Sequence, residues 1–288
     1  MKELAKIFLF TKNEVDLLDL WIPYHGKMVG FHNLYICDHG STNDVIKIYE
    51  KYKPYGIHLK DCSKAKFINK RKILSSLMRE HKDDCHLVIP LDSDEFIAKY
   101  EGKGFSVKEN EIRKCMEDLP IKNRRYKFNN FIAVAERESY SEPLLEMVKF
   151  VDNSHAKGKK KSFFPAKFFR STDQGNHSGR VLADGQGKGG KVTPPIFTSL
   201  CLLHFEIRGL EQAVKKSRKG QKAYNFKDSK KPIVGRHWWS KLQHFNQGKE
   251  ATNKWWEERK NRLLGSPYLI TSSVFGKKLK DIKKEFTL

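Results

Sequence analysis

Residues 87–95 read LVIPLDSDE and give the strongest indication of the fold. Five apolar residues are followed at once by Asp92, Ser93, Asp94 and Glu95. A short apolar run that ends in a polar group is typical of a buried strand in a parallel sheet that leads into a loop. The sequence therefore predicts a strand at 87–91 that places two aspartates at its carboxyl end.

Strand-like and helix-like patterns alternate before this stretch. Apolar runs predict strands at 7–10, 34–37 and 57–59, and helical periodicity predicts helices from 15 to Pro23 or somewhat beyond, from 43 to 52 and from 67 to 79. Alternating strands and helices indicate an α/β fold whose mostly parallel central sheet is flanked by helices. Ligands of such sheets bind at the carboxyl ends of the strands. We therefore expect the polar segments 11–14, 38–44 and 92–95 to meet at one edge.

The second part of the chain has weaker patterns. Strands are predicted at 124–134 and 166–169, and a short helix at 209–219. The last fifty residues are mostly helical in pattern and contain Trp238, Trp239, Trp255 and Trp256. No segment is apolar over the roughly 20 residues that a membrane-spanning helix needs. We therefore expect a soluble, cytoplasmic protein.

The chain carries a net charge of +22, from 56 basic and 34 acidic residues. Such a surface attracts polyanions, including nucleic acid, anionic membranes and phosphate-bearing substrates. No zinc-finger spacing, aromatic RNA-binding signature or basic heptad region accompanies the charge, so a nucleic-acid partner is not expected. The five cysteines are widely spaced, which favours free thiols in a reducing compartment.

Asp92 and Asp94 are candidate ligands for a hard cation. Carboxylate oxygens suit Mg²⁺ and Mn²⁺, and either ion would keep open positions for diphosphate oxygens. The two aspartates also fit a solvated turn, because an Asp-x-Asp triplet arises often by chance in loops. Their position directly after an apolar strand favours the metal site.

Further motifs precede the aspartates. In chain order they are Lys12-Asn13-Glu14, then Trp21 with Tyr24-His25, then Asp38-His39-Gly40-Ser41-Thr42-Asn43-Asp44, and finally Asp92-Ser93-Asp94-Glu95-Phe96. Over the first hundred residues this combination resembles the family 2-like glycosyltransferases and the related family 92 group. It is also similar to the soluble glycosyltransferases of large algal viruses. The resemblance implies a GT-A (Rossmann-like) fold and transfer of a sugar from a nucleotide donor, often UDP-linked, to a glycan hydroxyl.

The resemblance also implies roles for individual residues. The nucleotide sugar would be bound by Thr11, Lys12, Asn13, Glu14, Asp38, His39, Arg71, Asp92 and Ser93. The Mn²⁺ or Mg²⁺ ion would be bound by Asp92, Asp94 and His204, although His204 also fits a diphosphate contact or a structural position beside an apolar strand. Asn13 and Asp38 also fit helix caps, and Arg71 also fits an exposed surface.

An inverting transfer requires a carboxylate that deprotonates the acceptor hydroxyl. Asp173 is the first choice, because it follows a predicted strand in the second half of the chain and precedes a polar loop. Glu95 is the second choice because it neighbours the aspartate pair, and Glu206 and Asp184 follow. Asp173 also fits an ordinary turn.

The implied organisation is a GT-A catalytic domain at 1–235 with a helical extension at 236–288 packed on it. Residues 1–100 would bind the nucleotide sugar and residues 101–235 the acceptor. Among viral enzymes of this kind the donor options include UDP-xylose and UDP-rhamnose, and the compartment would be the host cytoplasm.

Two other functions stay open. One is a basic protein that binds nucleic acid or an anionic surface on a degenerate GT-A fold, and the other is a nucleotidyltransferase that uses the same carboxylate pair. Residues 185–191 match the G-x-x-x-x-G-K start of a phosphate-binding loop. However, Val192 stands where the magnesium-binding hydroxyl is needed and Pro194 follows closely, which disfavours a nucleoside-triphosphatase loop.

Overall fold

A computed structural model of the chain describes residues 2–155, 160–182, 194–224 and 236–286. The strands are β1 (Glu3–Thr11), β2 (Leu34–Asp38), β3 (His58–Asp61), β4 (Cys85–Leu91), β5 (Glu95–Tyr100), β6 (Phe105–Ser106), β7 (Tyr126–Ala133), β8 (Lys149–Asp152), β9 (Ser162–Pro165), β10 (Phe169–Thr172), β11 (Gly179–Val181), β12 (Ile196–His204) and β13 (Leu269–Thr271). The helices are α1 (Val15–Val29), α2 (Asn43–Tyr52), α3 (Lys70–Glu80), α4 (Glu109–Glu117), α5 (Pro143–Glu146), α6 (Leu210–Tyr224), α7 (Arg236–Phe245), α8 (Lys249–Leu264) and α9 (Val274–Phe286).

One large sheet organises the molecule, in the strand order β3-β2-β1-β4-β9-β7-β12-β5-β6. The first four strands of this path are parallel, and only β9 and β5 run against the common direction within it. Strands β8 and β13 extend the sheet from β7, and β10 with β11 forms a separate ribbon. The predicted α/β fold with a mostly parallel central sheet is confirmed.

Strand β1 is buried on both faces, because alternate side chains enter two different cores. Ile7 and Leu9 belong to the larger core, which includes residues of α1, α2 and α9. Phe8 and Phe10 belong to a smaller core shared with α3. Helices on both faces of the sheet therefore fix the register of β1 and the position of its carboxyl end.

Helix α1 continues through Pro23 and ends at Val29, whereas the sequence predicted an end at Pro23 or somewhat beyond it. Proline has no N–H group, so the carbonyl of Asp19 loses its helical partner. The Tyr52 hydroxyl from α2 donates to that carbonyl at 3.0 Å. A neighbouring helix thus compensates the missing bond, and sequence periodicity cannot show such a contact.

Helix α1 is hydrogen-bonded to the backbone of β5 through three side chains, those of Trp21, Tyr24 and His25. The indole N–H of Trp21 donates to the carbonyl of Glu95 at 3.0 Å, and the Tyr24 hydroxyl donates to that of Ile97 at 2.7 Å. His25 contacts the carbonyl of Trp21 through Nδ1 at 2.9 Å and the amide of Ile97 through Nε2 at 3.4 Å. This motif therefore positions the segment that begins with Glu95.

Two parts of the second half differ from the sequence prediction. The apolar stretch predicted as a strand at 166–169 is a 3₁₀ turn over Ala166–Phe168 between β9 and β10. Residues on its two sides pair with different partners, β4 for Pro165 and β11 for Phe169, so the chain must turn between them. The predicted helical C-terminal region also contains β13, which pairs with β8.

The helices of the described segments include none that is both long and apolar enough to cross a lipid bilayer. The domain division at 235 stays a prediction.

Candidate active site

The carboxyl ends of β1, β2 and β4 lie side by side. Thr11 is paired with Asp38 in the β1–β2 register, and Leu9 is paired with Leu91 in the β1–β4 register. From β1 the chain proceeds outward through β2 to β3 and then returns to the other side of β1 as β4. This reversal makes a crevice outside the ends of β1 and β4, which is where open α/β sheets bind ligands.

The loop after β1 is tied to the loop after β2. The amide of Asn13 donates to Ser41 Oγ at 2.9 Å, and the amide of Thr42 donates to Asn13 Oδ1 at 2.7 Å. Asn13 has a φ of 55°, in the left-handed region that asparagine tolerates better than most residues. The segments predicted to converge are therefore bonded to one another.

Thr11 ends β1 with a buried hydroxyl. Within the described parts of the chain, its Oγ1 has no hydrogen-bond partner. Buried hydroxyl groups are normally satisfied, so an orphaned one at a strand end suggests a polar group supplied by a ligand. This observation fits the predicted nucleotide pocket.

Asp38 uses both carboxylate oxygens within its own neighbourhood. Oδ2 accepts from the amides of Gly40 and Ser41 at 3.0 and 2.9 Å, and Oδ1 accepts from the Tyr49 hydroxyl at 3.0 Å. Ser41 Oγ also donates to Oδ1, at 2.5 Å. The carboxylate therefore shapes the loop after β2, and its contact with a base or ribose stays a prediction. The neighbouring His39 contacts the carbonyl of Ala65 at 2.6 Å.

Three carboxylates and three lysines meet beyond β4. We call this group the edge cluster, and its members are Asp92, Asp94, Glu95, Lys70, Lys161 and Lys216. Lys70 Nζ lies 2.6 Å from Asp92 Oδ1, and Lys161 Nζ lies 2.5 Å from Asp92 Oδ2. Lys161 also lies 3.0 Å from Glu95 Oε1, and Glu95 Oε2 accepts from the amide of Asp92 at 2.9 Å.

Asp94 is held by the second half of the chain. Its carboxylate is ion-paired with Lys216 of α6, and Oδ2 lies 3.6 Å from His204 Nε2 at the end of β12. The amide of Phe205 donates to the carbonyl of Asp94 at 2.8 Å. The structure thus brings the predicted residues Asp92, Asp94, Glu95 and His204 together.

The pKa values of the three carboxyl groups in the edge cluster are shifted in different directions. Burial disfavours the charged form of Asp92, but Lys161 and Lys70 hold its pKa well below the ordinary value. Burial likewise opposes ionisation of Asp94, yet Lys216 and His204 lower its pKa. Burial raises the pKa of Glu95, and Lys161 only partly offsets this. Asp92 and Asp94 are therefore the permanent anions of the cluster.

A divalent cation fits this arrangement poorly. Both carboxylate oxygens of Asp92 already face ammonium groups at 2.5 and 2.6 Å. Across residues 2–155, 160–182, 194–224 and 236–286, no group of three or more His, Cys, Asp or Glu side chains is placed to hold a metal ion. Ligation of Mn²⁺ or Mg²⁺ by Asp92, Asp94 and His204 stays a prediction.

The candidate bases differ in their burial and in the partners of their carboxylate groups. Asp173 Oδ1 accepts from the amide of His177 at 2.7 Å and so closes the turn between β10 and β11. Glu95 is fully buried. Glu206 is paired with Lys241 at 2.6 Å and with Arg259 at 3.2 Å, and although burial opposes ionisation these cations lower its pKa, which makes it a weak base. Asp184 lies outside the described residues, as do 185–191.

Two cavities adjoin the site. One of about 370 Å³ includes Asn13 and Glu14 together with Lys216, which contacts Asp94. The other, of about 980 Å³, is called here the basic cavity, and its cationic lining residues are Lys60, Lys64, Arg71, Lys72, Arg79 and Arg180. None of these six side chains makes an ion pair with another described residue.

The remaining predicted residues surround the crevice. Glu14 is ion-paired with Lys219 at 2.7 Å and with Arg208 at 3.4 Å. Lys12 is exposed, and its carbonyl accepts from Lys219. Ser93 is half-buried in the turn between Asp92 and Asp94. Arg71 is exposed and faces the basic cavity, while its neighbour Lys70 is the residue that reaches Asp92.

Sequence reasoning singled out neither Lys70 nor Lys216, and it included Lys161 only as the end of the basic segment 157–161, which it predicted could close over the diphosphate. In a chain with 56 basic residues, a functional lysine has no distinguishing pattern. Burial is the property that separates them, since the side chains of Lys70 and Lys161 are only 7% and 10% exposed. Such burial depends on contacts between distant parts of the chain.

Comparisons with known proteins found no relative at the level of sequence. No protein-family model matches the chain, and no curated protein matches it. Among solved structures, it is similar to S. aureus TarS 1–349 in complex with UDP, with a TM-score of 0.36 and 11% identity over 58% of this chain and 47% of that one. A structure of S. aureus TarS gives a TM-score of 0.39 and 9% identity over 85% of this chain and 42% of that one. The match spans less than half of each TarS chain, and at these scores it assigns neither family nor function.

Proposed function

We propose that the protein is a glycosyltransferase that moves a sugar from a nucleotide donor to a hydroxyl group of a glycan acceptor. The observation that carries the proposal is the meeting of the β1, β2 and β4 ends in one crevice. There the orphaned Thr11 hydroxyl and the edge cluster lie at the reversal of strand order. The motifs that fill this crevice are those that resemble the family 2-like enzymes.

The reaction has defined requirements. The acceptor oxygen forms a bond to the anomeric carbon, the bond from that carbon to the terminal phosphate oxygen breaks, and its electron pair leaves with the nucleoside diphosphate. The acceptor proton passes to a carboxylate base. Positive charge must be fixed where the diphosphate charge develops, and either a divalent cation or the lysines of the edge cluster would supply it.

The finer assignments belong to the same proposal. The donor is a UDP-linked sugar, with xylose and rhamnose among the options, and the transfer is inverting. We favour Asp173 as the base. One of its carboxylate oxygens is fixed by the turn, which leaves the other to accept the proton, and its side chain is only half-buried. Glu95, in contrast, is fully buried. In this proposal Thr11 and Asn13 contact the nucleoside, which is supported by the buried Thr11 hydroxyl without a partner among the described residues and by the hydrogen bonds between Asn13 and the loop after β2.

A second candidate function rests on the basic cavity. The cavity has six cationic side chains that form no ion pair with a described residue and one acidic side chain, Asp61, so it would attract a polyanion such as nucleic acid. This alternative predicts a salt-sensitive shift of DNA together with no binding of UDP or GDP. Electrophoretic mobility at several salt concentrations, beside nucleotide calorimetry on the same protein, separates the two functions.

Donor hydrolysis tests the main proposal. A panel of UDP- and GDP-sugars is incubated with the wild type and with Asp94→Ala, in Mn²⁺, in Mg²⁺ and in EDTA. We expect release of the nucleoside diphosphate from one donor and its loss in the variant, because Lys216 then loses the carboxylate that positions it. Absence of nucleotide binding and of turnover with every donor would contradict the proposal.

A further inference from the structure

We infer that Lys70, Lys161 and Lys216, and not a divalent cation, neutralise the diphosphate of the nucleotide in this crevice. The inference rests on the proposed function and specifies how that site binds its donor. It departs from the metal site that the Asp92-x-Asp94 pattern predicts.

The three ammonium groups reach the crevice from three separate parts of the chain. Lys70 is the first residue of α3, Lys161 directly precedes β9, and Lys216 lies within α6. All three are mostly buried, with side chains 7%, 10% and 20% exposed. Side chains with this much conformational entropy are not buried together by chance, so the fold is built to hold positive charge here.

The carboxylates act as supports for these ammonium groups. Asp92 holds two of them, one on each oxygen, at 2.6 and 2.5 Å, and Asp94 holds the third. Of the two aspartates that would ligate a metal, Asp92 faces two ammonium groups and Asp94 faces one, so neither has negative charge left over for a divalent cation. His204 also faces Asp94, with its Nε2 atom 3.6 Å from Asp94 Oδ2.

Ammonium groups are suited to the role that a metal has elsewhere. Lysine binds phosphate as a compact point charge, and charge-assisted hydrogen bonds to phosphate oxygens are stronger in a partly buried site than in water. Lys216 also lines the cavity of about 370 Å³ that contains Asn13 and Glu14. A diphosphate between Asp94 and that cavity would therefore meet Lys216 directly.

Nucleotide calorimetry tests the inference. UDP, and separately GDP, is titrated into the wild type, Lys161→Met and Lys149→Met, each in EDTA and in Mn²⁺. Lys149 is a matched control, because it is also ion-paired, with Glu136 at 2.6 Å, but lies on β8 and not in the edge cluster. We expect wild-type affinity in EDTA within about threefold of that in Mn²⁺. We also expect at least a tenfold loss in Lys161→Met, in which Asp92 and Glu95 would repel the diphosphate, and no loss in Lys149→Met.

The other outcomes are distinct. Binding by the wild type in Mn²⁺ that disappears in EDTA would overturn the inference and leave the proposed function in place. Failure of both UDP and GDP to bind in either condition would overturn the proposed function as well. The wild-type comparison needs no variant, so a folding defect in Lys161→Met does not remove the test.

Discussion

Two ion clusters flank the end of β12, and they differ in what surrounds them. The edge cluster lies at the strand ends and gathers lysines from three distant parts of the chain. The second, which we call the Glu206 cluster, consists of Glu206, Lys241 and Arg259. It joins the segment after β12 to α7 and α8. Lys216 links the two, because it is paired with Asp94 and also donates to the Glu206 carbonyl at 3.1 Å.

The comparison shows that the same chemistry serves two purposes. A buried carboxylate with two cations is expensive to desolvate and adds little net stability, but removing one of the partners is strongly destabilising. In the Glu206 cluster all partners come from the C-terminal region, so we assign it to holding helices. In the edge cluster the partners line a crevice beside an unsatisfied hydroxyl at Thr11, so we assign it to a ligand.

The largest effect on folding is expected from Glu206→Gln. This change leaves Lys241 and Arg259 partly buried without their carboxylate, and we expect a loss of about 3 kcal/mol in the free energy of unfolding. Urea denaturation measures it. Glu258→Gln, on the same helix as Arg259 but exposed, is the control and should change stability by less than about 0.5 kcal/mol.

The Glu206 cluster should be separable from nucleotide binding. We expect Glu206→Gln to bind UDP as the wild type does at a temperature where both are folded. A tenfold weaker affinity in this variant would show that the two clusters act as one site.

His25 is a buried titratable group that has no charged partner among the described residues. Burial lowers its pKa to about 3, from 6.5 in the unfolded chain. The unfolded state therefore takes up the proton first, so stability is full above pH 6.5 and falls as the pH drops toward 3. When the pH falls from 7.5 to 5, we expect this residue to lower the free energy of unfolding by about 2 kcal/mol.

Urea unfolding of the wild type and His25→Gln at both pH values isolates that contribution. Between these two pH values, the free energy of unfolding of the variant should fall by about 2 kcal/mol less than that of the wild type. Equal losses would mean that His25 is protonated in the folded protein and has a counter-charge.

The Tyr52 hydroxyl should matter less than either cluster, although it contacts both the carbonyl and the carboxylate of Asp19, at 3.0 and 3.1 Å. Tyr52→Phe removes the hydroxyl that satisfies the Asp19 carbonyl freed by Pro23. We expect a cost of about 1 kcal/mol, the usual value for one hydrogen bond whose acceptor remains partly buried. Thermal unfolding compares the variant with the wild type, and an unchanged midpoint would show that water replaces the hydroxyl.

The smallest effect is expected in the basic cavity. Lys64 is exposed and makes no ion pair with a described residue, so Lys64→Gln should change stability by less than about 0.5 kcal/mol. The same denaturation experiment applies. A loss above 1 kcal/mol would contradict the view that only the paired cations support the fold.

The sequence was informative where local patterns determine structure. The strands around Ile7, Leu34 and Leu87 and the convergence of their polar ends follow from apolar runs and the rules of parallel sheets. The pairing of β13 with β8, the turn at 166–168 and the path of α1 beyond Pro23 depend on contacts between distant segments. Periodicity does not contain that information.

The sequence singled out the acidic residues of the site but not the individual lysines. Asp92 and Asp94 stand out because they follow an apolar strand, whereas Lys70 differs from Arg71 by one position on a helix. Which of the two points toward Asp92 depends on how α3 packs against the smaller core through Leu74 and Met78. The acids therefore predicted a metal, whereas the fold also places three lysines beside them, which the local sequence pattern does not show.

Calorimetric titration of UDP into Asp92→Asn and into the wild type, each in EDTA and in Mn²⁺, tests the role of the lysines most directly. Asparagine keeps the shape and one oxygen acceptor while removing a negative charge next to Lys70 and Lys161. If the lysines bind the diphosphate, the variant should still bind UDP in EDTA, within a few-fold of the wild type. The asparagine oxygen still accepts from one of the two lysines, and the loss of a repulsive charge offsets the weaker hold on the other. UDP affinity that requires Mn²⁺ in the wild type and is lost in Asp92→Asn would contradict the account and restore the metal.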